Sequence, residues 1–100
     1  MELNNLTLDV WDNAEECDCD INDCYQNHRL CGICRRTIIY TAHESNQSIG
    51  RYSWNIDHII PISSGGRTIV NNLQVVHVLC NQNKVIKIKE IKDIKRNFKW

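Results

Sequence analysis

Lysine and arginine are absent from the first 28 residues of this 100-residue chain, which carry Glu2, Asp9, Asp12, Glu15, Glu16, Asp18, Asp20 and Asp23 instead. The opening stretch, M-E-L-N-N-L-T-L-D-V, has no basic region ahead of an apolar core, so no signal peptide is expected. Nowhere do about 18 apolar residues follow one another, which excludes a membrane-spanning helix. Internal repeats and low-complexity tracts are missing, and proline occurs once, at Pro61. The expected location is therefore intracellular and reducing, the cytoplasm of a bacterium or of a phage- or virus-infected cell. There the six cysteines read as thiolates for a metal rather than as disulfides.

What is present is ordinary in bulk and uneven in placement. Hydrophobic residues make up 42% and charged residues 24%, which places the chain among soluble globular proteins. A single domain of this length buries only about two-thirds of its unfolded surface, and a metal staple helps chains of this size. The formal net charge of zero conceals an acidic segment of −8 over residues 1–28 and a body of +8 over residues 29–100. Two readings stay open: opposed surfaces that pair with each other, or a polyanion-binding body with an acidic leader competing for its basic face.

Along the chain, Leu3, Leu6 and Val10 recur at helical spacing, while Leu6, Leu8 and Val10 alternate as a strand would. Residues 12–27 are acidic and Asn-rich and read as irregular. They hold Cys17, Cys19 and Cys24, with His28 just after, in a C-x-C-x4-C-x3-H order. That spacing is uncommon, so free thiols are the expectation and a second metal site the alternative. Leu30 to Arg36 reads L-C-G-I-C-R-R, in which Cys31 and Cys34 form a Cys-x-x-Cys knuckle, the usual half of a zinc site. A redox Cys-x-x-Cys would open a helix in a βαβ unit, and none is visible. Thr37 to Thr41 reads as a strand, and His43 as a solvated loop residue. A second strand is expected over Tyr52 to Ile60, ended by Pro61, and a third over Ile69 to Val76, with Ser63-Ser64-Gly65-Gly66 turning between them. From Asn81, apolar residues at three- and four-residue steps predict an amphipathic basic helix to the C-terminus.

Two strands and a helix with a polar loop between the strands bring His58, Asn72 and Asn81 together. The run D-H-I-I-P-I-S-S-G-G, then N-N-L-Q, then C-N-x-x-K resembles the HNH endonuclease motif over about residues 30–84. The fold this resemblance implies is α+β: a small ββα-metal (His-Me finger) core with zinc knuckles and a C-terminal basic helix. The implied organisation is an acidic, partly irregular segment over residues 1–28 and a nuclease domain over residues 29–100. By similarity, His58 is the general base, Asp57 and Asn81 hold Mg²⁺ or Mn²⁺, and Asn72 keeps His58 in a productive orientation. Asn71 and Asn83 are the neighbouring alternatives for Asn72 and Asn81.

The chemistry suits these residue types. An imidazole takes a proton from water near neutrality, and a hard cation prefers oxygen ligands and stabilises the developing phosphorane. The resemblance also implies a separate structural Zn²⁺ on Cys31, Cys34, His77 and Cys80, although one branch of the family with His and Asn at the last two positions binds none. Arg35, Arg36, Arg67, Lys84 and Lys87 would contact phosphates of DNA, which is expected to be double-stranded. The expected activity is metal-dependent DNA cleavage leaving a 3′-hydroxyl. The alternative is a non-catalytic zinc module that grips nucleic acid or a protein. A homodimer or protein partner, and an acidic segment that docks on the basic helix and silences cleavage, complete the expectations.

Overall fold

Four short strands fold as two separate antiparallel hairpins, and a two-stranded hairpin alone is marginal in water. The computed structural model describes residues 3–19, 24–45 and 49–84. Strand β1 (His28–Leu30) pairs with β2 (Thr37–Ile39), and the Cys31–Cys34 knuckle turns between them. Strand β3 (Trp54–His58) pairs with β4 (Leu73–His77), with Trp54 opposite His77 and His58 opposite Leu73. Helix α1 (Asn5–Asn13) and the single turn α2 (Cys24–Asn27) precede β1, and residues 78–84 form a helix, α3, directly after β4. The fold is α+β, with a ββα unit made of β3, β4 and α3.

The ambiguous N-terminal pattern is a helix. Asn4 caps it by accepting a hydrogen bond from the Thr7 amide at 2.8 Å. Val10 and Trp11 are buried from this helix, which packs against β4 and the 3-10 turn Val70–Asn72 that leads into it. Its apolar face thus covers one side of a strand whose neighbours Val75 and Val76 are both buried.

Trp54 is the centre of the core at 0% exposure. Its ring lies 5.0 Å from Trp11 and 4.7 Å edge-on from His43, and its indole N–H donates to the Tyr40 carbonyl at 3.1 Å. That bond requires the chain to turn after Ile39, so β2 is shorter than the T-I-I-Y-T run suggests and a 3-10 turn, Tyr40–Ala42, follows it. His43 is likewise half-buried rather than solvated, and burial lowers its pKa from the ordinary imidazole value.

Arg29 departs furthest from its composition-level reading. Counted among the basic residues of the body, it is 1% exposed and donates to the carbonyls of Trp11, Tyr25 and His28 while lying over the Trp11 and Tyr25 rings. Its charge joins the acidic segment to β1 and is spent in the interior. The C-terminal helix is expected from Asn81 and starts at residue 78, because β4 runs straight into it; the Val78 amide still donates to the Ser53 carbonyl at 2.9 Å. Residues 85–100, Lys87 among them, over which the sequence predicts that helix to continue, lie outside the described residues, as does any docking of the acidic segment there.

Removing the Trp54 side chain deletes the ring shared by α1, the Tyr40 turn and β3. Trp54→Ala is expected to cost about 3–5 kcal/mol of stability, read from urea denaturation followed by far-ultraviolet circular dichroism; a loss below about 1 kcal/mol would contradict this core assignment.

Candidate active site and metal clusters

The end of β3 is where the chemistry gathers. Asp57 and His58 are its last two residues, and alternation along a strand sends their side chains to opposite faces. On one face, Asp57 Oδ2 accepts from Gln74 Nε2 at 3.0 Å and from Lys84 Nζ at 2.6 Å. Gln74 stands directly across the hairpin from Asp57, and Lys84 comes from α3. Three residues earlier on α3, Asn81 donates through Nδ2 to Asn55 Oδ1 at 3.2 Å. Asn55 and Asp57 share a strand face and Asn81 and Lys84 a helix face, so α3 lies along the acidic edge of β3. With Nδ2 spent on Asn55, the amide oxygen is the atom of Asn81 left for a ligand.

On the other face, His58 Nε2 lies 2.9 Å from Thr68 Oγ1. Asn72, expected to hold His58, instead clamps the loop that follows it. Its Oδ1 accepts from the Ile60 amide at 2.9 Å, and its Nδ2 donates to the carbonyls of Ile60 at 3.1 Å and Arg67 at 2.8 Å. The main chain adds a bond from the Ile59 amide to the Asn72 carbonyl at 2.8 Å. Asn72 therefore fixes the backbone of Ile59 and Ile60, directly after His58. The loop is tight for a second reason: Gly65 takes a left-handed φ of 90°, and a Cβ on Gly66 would stand 1.7 Å from the Ile60 carbonyl oxygen. The Ser-Ser-Gly-Gly turn is a 3-10 turn, Ile62–Ser64, capped by Gly65 for its left-handed backbone and followed by Gly66, which alone of the two lacks room for a side chain.

The expected phosphate-binding residues divide. Arg36 and Arg67 are exposed. Arg35 is also exposed but forms an ion pair with Glu15, a surface contact of little energy. Lys84 is half-buried and bonded to Asp57 and to the His58 carbonyl. Arg51, missed in the sequence, lines an open groove of about 460 Å³ together with Arg35, Arg36, His77 and Cys80. Asn71 and Asn83, the alternatives to Asn72 and Asn81, are exposed.

Cys31, Cys34, His77 and Cys80 bring their ligand atoms within 4.8 Å of one another. Cys31 Sγ is fully buried and accepts from the amides of Ile33, Cys34 and His77 at 3.4–3.5 Å. Burial alone raises this thiol, but the amide hydrogen bonds from Cys34, His77 and Ile33 outweigh it and lower the pKa to about 7. Cys80 is pushed up to about 12, by burial first and then by the Cys34 and Cys31 sulfurs. A cation in their midst would replace that proton. His77 is set for the same role: Nε2 is 2.9 Å from the Thr37 carbonyl, which can only accept, so Nε2 carries the proton and Nδ1 keeps its lone pair, 3.3 Å from Cys34 Sγ. Three thiols and one imidazole fit zinc by donor type and number. A second group, Cys17, Cys19, Cys24 and His28, meets the same distance limit.

The family model described as HNH endonuclease matches residues 31–85. The chain belongs to the HNH endonuclease family. No curated protein and no solved structure matches it. The HNH match opens on Cys31 and takes in the Cys31–Cys34 knuckle, both strands of the β3–β4 hairpin and all the described part of α3. Function of the nuclease type, with clusters that can hold metal, follows from that membership. No helix among the described residues is long and apolar enough to cross a membrane.

Gly66→Ala tests the loop clamp. The added methyl must push away either the Ile60 carbonyl or Asn72 Nδ2, which it would meet at 2.9 Å. Cleavage by this variant is expected to fall at least about tenfold with the tryptophan fluorescence of the folded core unchanged; full activity would show that the loop does not fix His58.

Proposed function

We propose that the chain is a metal-dependent DNA endonuclease in which His58 is the general base. The observation that carries this is the succession of Asp57 and His58 at the end of β3, with the His58 ring at Thr68 and the Asp57 carboxylate held by Gln74 and by Lys84 of the helix that also carries Asn81. In the tautomer that donates Nε2–H to Thr68 Oγ1, His58 Nδ1 keeps the lone pair that accepts a proton from the attacking water. Asp57 and Asn81 offer a carboxylate and an amide oxygen, a donor set that fits Mg²⁺ or Mn²⁺ with the remaining positions left to water. Such an ion, when bound, supplies positive charge for the phosphorane and the leaving oxygen.

The chain's own residues do the rest. Asn72 and Gly66 hold the backbone after His58 so that the ring meets the phosphate in one orientation. Gln74 orients the Asp57 carboxylate, and Lys84 balances its charge while the ion is away. Arg36 and Arg67 reach phosphates of the duplex without reading bases. Water attacks phosphorus, the P–O3′ bond breaks, and the products are a 5′-phosphate and a 3′-hydroxyl. Zn²⁺ on Cys31, Cys34, His77 and Cys80 is structural in this account and holds the two hairpins together.

A second reading has one observation in its favour. Lys84 already neutralises Asp57 at 2.6 Å, as it would in a zinc module that binds without turning over. Plasmid nicking separates the two. Wild type with Mg²⁺ or Mn²⁺ is expected to convert supercoiled DNA to open circles, with His58→Ala slower by about 10²–10⁴-fold. Equal cleavage by both proteins, or binding without cleavage by either, would overturn the endonuclease proposal.

A further inference from the structure

We propose that Cys17, Cys19, Cys24 and His28 form a second zinc site, which closes residues 17–19 and α2 of the acidic segment onto the start of β1. The uncommon C-x-C-x4-C-x3-H spacing points in the sequence to free thiols, and the fold overrides it. Cys24 opens α2 and His28 opens β1, four residues on, so one helical turn sets both on the same side. Residues 17–19 run back past them after the isolated bridge between Glu16 and Arg29. Cys19 Sγ then lies 3.0 Å from Cys24 Sγ and 3.3 Å from His28 Nδ1, and all four ligand atoms fall within 4.8 Å of one another. A zinc tetrahedron with Zn–S near 2.3 Å and Zn–N near 2.0 Å has edges of about 3.5–3.8 Å, within reach of small rotamer shifts from this arrangement.

The donor set decides the ion. Three thiolates and one imidazole make a closed four-coordinate site for a soft or borderline cation, while Mg²⁺ and Ca²⁺ demand oxygen. The surroundings give the ion a structural task. Residues 14–19 contain no helix or strand and meet the body through the Leu30 amide, which donates to the Glu15 carbonyl at 2.9 Å, the Glu15–Arg35 ion pair, the Glu16–Arg29 bridge, and Cys17 Sγ at 3.7 Å from Thr37 Oγ1. Thr37 serves both clusters, with its hydroxyl beside Cys17 and its carbonyl bonded to His77. Two ions would therefore flank the β1–β2 hairpin, one at His28 and one at Cys31. This assignment stands whether or not the chain cleaves DNA.

Native mass spectrometry of the full chain, expressed with added zinc and purified under reducing conditions, provides the count. Two zinc ions per chain are expected, falling to one in Cys17→Ser/Cys24→Ser and to one in Cys34→Ser/Cys80→Ser. Iodoacetamide mapping of the wild type assigns them without relying on the variants: Cys17, Cys19 and Cys24 should resist alkylation until a chelator is added. One zinc ion with these three cysteines freely alkylated would overturn the proposal. So would two ions with the three still reactive, or a Cys19–Cys24 disulfide, seen as the loss of two hydrogens in the reduced-buffer preparation. Loss of zinc from Cys31, Cys34 and Cys80 alone would appear in the same map as reactivity confined to those positions, and would count against the structural zinc of the nuclease core instead.

Discussion

Everything that presents His58 depends on the joint between two hairpins that share no strand, and Cys31 is at that joint. Its sulfur receives amides from its own knuckle and from His77 at the end of β4, while the adjacent Gly32 amide donates to the Val75 carbonyl at 2.9 Å. A buried thiol that collects three N–H donors is built to carry negative charge, and a buried charge needs a partner. A cation is the partner that suits it, since Cys34, Cys80 and the His77 ring lie within reach of the same point as Cys31. The core around Trp54 adds apolar cement to the same joint, since that residue pairs with His77 and bonds to the turn after β2.

With the joint in place, the β3–β4 hairpin can be short and its loop can close tightly. The loop between β3 and β4 has little apolar packing of its own, with Ile59, Ile60, Ile62 and Ile69 all exposed. Hydrogen bonds to Asn72 and the close approach of Gly66 to Ile60 replace that packing. The polar groups are arranged by role: Thr68 meets the His58 ring, Gln74 and Lys84 meet the Asp57 carboxylate, and Asn55 takes the amide nitrogen of Asn81. Each contact restricts a group that the proposed mechanism needs in one orientation.

The sequence carried the nuclease hairpin because its signals are local. Pro61, the glycine pair and the N-N-L-Q run mark the turn and the return strand, and the family motif names Asp57, His58, Asn72 and Asn81 at fixed separations. It could not disclose who touches whom. Thr68 and Gln74 have no signature of their own, and Lys84 looks like any helix lysine until α3 is laid on β3. Strand β1 is three residues long and includes a buried arginine, so neither alternation nor apolar content announces it. The Cys17–His28 grouping was visible only as an odd spacing, because its geometry is made by a chain reversal and not by a knuckle.

The central claim is that an imidazole at position 58 takes the proton from the attacking water, and chemical rescue addresses it most directly. His58→Gly, assayed in Mg²⁺ on a short duplex, is expected to be nearly inert and to regain cleavage in a saturable manner as imidazole is added, because the missing ring leaves space beside Thr68. Undiminished cleavage by His58→Gly without imidazole would contradict the account, and so would an inert wild type under the same conditions.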